Sequence, residues 1–108
     1  MNRLVLSATL VGRAATRYTP AGLTALDLSL RHESEASEDG QPRKVSMEIK
    51  ALAIGAITRE LTPLALGRTG LFAGFITSTR NGRGLLFHIT SVEPDAAAPS
   101  PADPSGSN

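Results

Sequence analysis

The sequence predicts an all-β domain, five strands closed into one small barrel with one short helix between the third and fourth and a disordered end. Three observations predict it. Apolar residues recur at every second position in separate stretches along the chain, the mark of strands with one wet face. The 108 residues lie within the size of a single domain. Everything beyond Glu93 is small, polar and interrupted by proline, and so buries too little apolar area to offset the entropy of ordering it.

The first strand runs from Arg3 to Val11, with Leu4, Leu6, Ala8 and Leu10 on one side. Gly12 opens a connection whose Pro20 and Gly22 mark a turn, and which carries Arg13, Arg17 and the only tyrosine, Tyr18. Leu26, Leu28 and Leu30 alternate with Asp27, Ser29 and Arg31 in the second strand. Glu33 to Pro42 has no apolar period and is expected to be a long mobile hairpin loop. The third strand begins at Arg43, with Val45, Met47 and Ile49 on one face and Lys44, Ser46, Glu48 and Lys50 on the other.

From Ala51 to Leu61 a continuous apolar opening passes into helical spacing at Ile54, Ile57 and Leu61, which predicts a helix of two or three turns stopped by Thr62-Pro63. The fourth strand, Leu71 to Thr77, holds Gly74, and a glycine inside a strand marks a bulge or a tight bend. Arg80-Asn81-Gly82-Arg83 contains an Asn-Gly hairpin signal, and Leu85 to Val92 is the fifth strand. Three strands, a short helix and a closing hairpin follow the order of the oligonucleotide-binding (OB) fold. Residues 1–93 are therefore read as an OB-fold domain and 94–108 as a disordered Pro/Ala/Ser-rich tail.

Composition narrows the function. With only Phe72, Phe75, Phe87 and Tyr18 as aromatics, the core must be built from Leu, Val, Ile and Ala. A barrel of this size buries about 60 to 70% of the surface its unfolded chain exposes, which favours burial against a second copy and predicts a homodimer. With no cysteine there is neither a disulfide framework nor a thiolate metal site. The N-terminus reaches polar Ser7 after three apolar residues and no apolar run approaches ~18 residues, so a cytoplasmic protein without membrane contact is expected. The net charge of +1 conceals a division along the chain. Of the ten acidic residues, Asp95 and Asp103 lie in the tail, and Glu33, Glu35, Glu38 and Asp39 crowd one segment, so the remaining surface is basic. That is a mild footprint for a polyanion.

Asn2-Arg3-Leu4-Val5-Leu6-Ser7, Tyr18-Thr19-Pro20-Ala21-Gly22-Leu23, Arg31-His32-Glu33-Ser34, Gly74-Phe75-Ile76 and Asn81-Gly82 through Phe87-His88 resemble the bacterial primosomal replication protein N (PriB) family. The resemblance covers residues 2 to 93. It implies a homodimer of OB-folds, related to bacterial single-stranded DNA-binding protein, that binds single-stranded DNA during replication restart alongside the helicase PriA and the loader DnaT. It also implies basic contacts at Arg17 and Arg80. Two departures weaken that implied binding: Ser46 stands where well-studied relatives place a stacking Trp, and Glu33 where they place an arginine. The last residues, Pro104 to Asn108, lack the acidic end capped by Pro-Phe of single-stranded DNA-binding proteins.

Single strands bind OB surfaces through cationic grooves and aromatic platforms. The candidate single-stranded-DNA-binding residues are Arg13, Arg17, Tyr18, Arg43, Lys44, Ser46, Lys50, Arg80 and Arg83, since the loops after the first and fourth long strands form one rim of an OB groove. His32 and His88 have no carboxylates at metal-ligand spacing, no serine has a nucleophile-elbow context, and Asn81-Gly82-Arg83-Gly84 precedes a strand where a phosphate loop precedes a helix. No catalytic residue, metal or cofactor is therefore expected. The alternative kept open is an interaction scaffold of the primosome with weak DNA binding, favoured by Ser46 and its neighbour Glu48.

Overall fold

The computed structural model describes residues Met1–Asp95; the expected disordered tail lies, apart from its first two residues, outside the described residues. In chain order the elements are β1 (Leu4–Arg13), β2 (Arg17–Tyr18), β3 (Thr24–Glu38), β4 (Gln41–Ile54), a 3-10 turn (Gly55–Ile57), α1 (Thr58–Leu61), β5 (Thr69–Ser78) and β6 (Leu85–Pro94). The sheet runs β1-β5-β6-β4-β3-β2, and an additional pairing of β1 with β3 closes the five long strands into a barrel. Every pairing is antiparallel except that of β4 with β6, which spans only Ala51↔Phe87 and Leu52↔His88. The expected five-stranded OB barrel with one short helix before the fourth long strand is what the chain forms.

The period-two leucines explain closure. Leu6, Ala8 and Leu10 of β1 and Leu26, Leu28 and Leu30 of β3 point inward and meet Ala51, Ala53, Phe72, Phe87 and Ile89, while Leu61 and Leu64 plug one end. Phe72 and Phe87 are fully buried and are the largest side chains there. Phe87→Ala is therefore expected to cost roughly 3 to 5 kcal/mol, read as a lowered urea midpoint, because so small a core has little else to fill the void. The side-chain amide of Asn2 lengthens the β1–β5 seam by accepting from the Ile76 amide at 3.0 Å and donating to its carbonyl at 2.6 Å.

Three local expectations are corrected. Glu33 to Pro42 is no loop: β3 and β4 stay paired from Glu33↔Ser46 to Glu38↔Gln41. The turn is Asp39-Gly40, with φ of 51° and 76°, the two positive angles that a two-residue type I′ hairpin turn requires and that an Asp-Gly pair adopts readily. Polar side chains concealed this strand because it has no core to face. Beyond Arg31, where β1 pairing ends, the two strands project as an exposed arm about 20 Å long at the usual strand rise.

The helix is also shorter than expected. Ala51-Leu52-Ala53, which reads as a helical opening, is the end of β4, covered on both sides. Gly55 then turns the chain at a φ of 87°, leaving a 3-10 turn and a single α turn in which the Thr58 hydroxyl donates to the Gly55 carbonyl at 2.7 Å. The third correction is β2: within the first connection, Arg17 and Tyr18 pair with Ala25 and Thr24 of β3.

Candidate nucleic-acid interface

Because side chains alternate along a strand, the outward row of β3 is Asp27, Ser29, Arg31, Glu33 and Glu35, and its cross-strand partners on β4 are Leu52, Lys50, Glu48, Ser46 and Lys44. At the barrel end of this row lies an open hollow of about 390 Å³, lined by Arg13 and Ala14 from the end of β1, Asp27 and Ser29 of β3, Lys50 of β4, Thr79 and Leu86. Thr79 begins the loop joining β5 to β6, so the first connection and the closing hairpin do meet at one rim. Lys50 lies 3.4 Å from the Ser29 hydroxyl. One Arg13 guanidinium nitrogen donates to the Leu64 carbonyl beyond α1, which anchors the side chain while its other donors remain.

The closing loop is held by its own polar groups. The Gly82 amide donates to the Thr79 carbonyl at 2.8 Å, and the Asn81 side-chain oxygen accepts from the Arg83 amide at 2.9 Å and from the Thr79 hydroxyl at 2.7 Å. Arg80 and Arg83 are thus presented, exposed, on a turn whose backbone is set by Thr79 and Asn81. A preset loop loses less freedom when it meets a ligand.

Arg17 is placed differently. Its guanidinium donates to Asp27 through two nitrogens, at 2.7 and 3.2 Å. Both side chains are about half exposed, so the pair is screened by salt and adds little to stability. The hydrogen bond to Asp27, then the opposite charge, raises the Arg17 pKa above its ordinary value. Tyr18, 69% exposed, follows Arg17 on β2 and so leaves that strand on the opposite face.

The remaining candidates lie on the arm. Lys44 stands across from Glu35 and Ser46 across from Glu33, around a depression of about 420 Å³ shared with Ser34 and Val45. Arg43 pairs with Glu38 at 3.1 Å near the tip. Each of the two arm cations thus faces a glutamate, Lys44 on the outward face, where Glu33 leaves the charge net negative, and Arg43 on the opposite face, whereas Arg13, Lys50, Arg80 and Arg83 make no ion pair among the described residues. A third hollow of about 410 Å³, along β1 and β5, sets Arg31 against Glu33 and Asp95 and offers a phosphate no net positive charge. Asp27, Ser29 and Thr79 escaped the sequence reading because nothing in their spacing marks them; only strand register brings them to the basic residues.

Aromatic side chains contribute little at the hollow. Phe72 and Phe87 are core. Phe75, 39% exposed, stacks on its cross-strand neighbour His88, with centroids 4.7 Å apart and planes 13° from parallel. His32 bridges β1 and β3: its Nδ1 lies 2.6 Å from the Ser7 carbonyl, which can only accept, so Nδ1 donates there, and Nε2 lies 2.8 Å from the Ser34 hydroxyl. Among the described residues no group of three His, Asp or Glu side chains is placed to hold a metal ion, and no helix is long and apolar enough to cross a membrane.

Residues 2–91 match the model of a family described as another single-strand binding protein family. The chain is 45% identical over 80 residues to the replication restart protein PriB of Bordetella pertussis, covering 74% of this chain and 75% of that one. It is 32% identical over 89 residues to the replication restart protein PriB of Nitrosomonas europaea, covering 82% of each. The solved structure of PriB from Ralstonia solanacearum superposes with a TM-score of 0.81 at 36% identity, over 89% of this chain and 99% of that one. The single-stranded DNA binding protein of Thermus aquaticus superposes at 0.71 with 24% identity, over 91% of this chain and 52% of that one, and shows the shared fold.

Proposed function

The chain belongs to the single-strand binding protein family and, within it, to the replication restart proteins called PriB, and from that premise we propose that it is a non-catalytic subunit that holds single-stranded DNA during replication restart. The observation that carries this reading is the basic hollow at the base of the β3–β4 arm, where Arg13 and Lys50 share one rim with the loop that presents Arg80 and Arg83. These cations neutralise phosphates of a flexible strand, whose spacing adapts to them, and phosphate contacts carry no sequence information, so binding is indifferent to sequence. We further assign it a homodimeric state, a cytoplasmic location, and a place steadying the helicase PriA on DNA and helping to recruit the loader DnaT.

Anisotropy of a labelled oligo-dT strand, titrated at several salt concentrations beside a matched duplex, tests the DNA reading. Four phosphate contacts, from Arg13, Lys50, Arg80 and Arg83, correspond to a log–log salt slope of about −3 for a single strand. Preference for the duplex, or no binding at low salt, would overturn it.

A second reading is favoured by the arm, where Lys44 and Arg43 are already matched by Glu35 and Glu38 and Ser46 offers no stacking surface. In that reading the OB surface serves protein partners, and the chain captures PriA while leaving oligo-dT unbound.

A further inference from the structure

We propose that Asp27 is a built-in competitor for phosphate: its carboxylate occupies the Arg17 fork and withholds that arginine from a nucleic-acid backbone until the carboxylate is displaced. This rests on the DNA-binding reading above and adds to it a control on affinity within the same groove. The geometry is that of a guanidinium facing a planar pair of acceptors, Nε to Oδ2 at 2.7 Å and a terminal nitrogen to Oδ1 at 3.2 Å, the arrangement in which an arginine also takes two phosphate oxygens. One acceptor pair excludes the other.

Among the described residues, Asp27 is also the one acidic residue lining the hollow that Arg13 and Lys50 make basic. A strand entering there meets its negative charge whether or not Arg17 is engaged. The charged and polar groups around Asp27 are Arg17 from β2, Ser29 on its own strand, Lys50 from β4, Arg13 from β1 and Thr79 from the closing loop. Leu52 stands across from it on β4 and offers no polar partner. With the pair about half exposed, exchange of carboxylate for phosphate needs no rearrangement of the barrel. In the wild-type chain a phosphate must therefore compete with the carboxylate for Arg17, which lowers what that arginine adds to affinity, and Asp27 acts through it as a positioning residue.

The test is a cycle of four proteins, wild type, Asp27→Asn, Arg17→Ala and the double variant, each measured for binding of oligo-dT and of inorganic polyphosphate across a salt series. Asparagine keeps the shape of the side chain and removes the charge. Asp27→Asn is expected to tighten binding of both probes about three- to tenfold at low salt, the scale of one unit charge near the surface. It is also expected to steepen the slope by about 0.7, one further phosphate. In the Asp27→Asn background, Arg17→Ala is expected to remove the added slope of about 0.7 and to leave only the part of the gain that comes from clearing the negative charge of the hollow. A loss of stability alone moves neither the slope nor the coupling between the two sites, and the melting temperatures of all four proteins verify that each is folded. Asp27→Asn that binds both probes as the wild type does, or more weakly, overturns the proposal while leaving wild-type oligo-dT binding to decide the DNA reading. If the wild type ignores oligo-dT but Asp27→Asn gains polyphosphate affinity through Arg17, the DNA reading falls and the competitor stands.

Discussion

Gly74→Ala is expected to unfold the barrel or cost on the order of 3 kcal/mol or more, the range of a severe steric substitution. A Cβ built at Gly74 lies 1.7 Å from the His88 carbonyl oxygen and 3.1 Å from the Ile89 Cα, so the collision is with backbone and no rotamer relieves it. The crowding has a local cause. Between Ala73↔Ser91 and Gly74↔Ile89 the β5–β6 register slips by one residue, and the bulge presses β6 against β5 at the point where both must bend to close the barrel. Gly84→Ala is the matched control: its added Cβ meets only Thr79 side-chain atoms, the nearest at 3.5 Å, an ordinary contact. Urea denaturation of both variants decides between them. A stable, wild-type-like Gly74→Ala protein would show that the seam can open, and would remove the bulge as the reason for this glycine.

Arg13→Ala combined with Lys50→Ala is expected to lower affinity for oligo-dT more than tenfold at low salt and to bring the salt slope from about −3 to between −1 and −2, two phosphates fewer. Arg43→Ala combined with Lys44→Ala removes the same formal charge from the arm and is expected to cost less than threefold, because each of those cations faces a glutamate that is left in place. The contrast isolates position from net charge. Equal losses from the two double variants would mean that overall charge governs binding and that the hollow has no special part. Arg13→Ala also removes the bond to the Leu64 carbonyl, so its melting temperature has to accompany the titration.

The long strands were legible in the sequence because each pairs an apolar row with a wet one, as in Leu26, Leu28 and Leu30 against Asp27, Ser29 and Arg31. The arm was not, since a strand pair that faces water on both sides has no apolar period, although Asp39-Gly40 carried the turn signal. The site divides in the same manner. Arg13, Lys50 and the Arg80–Arg83 hairpin stand out as candidates by charge and position along the chain alone. That Arg17 is engaged by Asp27, Tyr18 turned to the other face of β2, and Lys44 and Ser46 set opposite glutamates depended on neighbours 9 to 13 residues away or on a short strand without a pattern of its own.

By itself the sequence determined the class of fold, the number of long strands, the place of the helix and the basic character of the surface, because period-two burial, turn chemistry and charge are properties of near neighbours along the chain. Which cations remain available to a ligand was decided only by the tertiary structure. Register sets each arginine or lysine across from a particular carboxylate or from none, and a one-residue slip would reassign every pair.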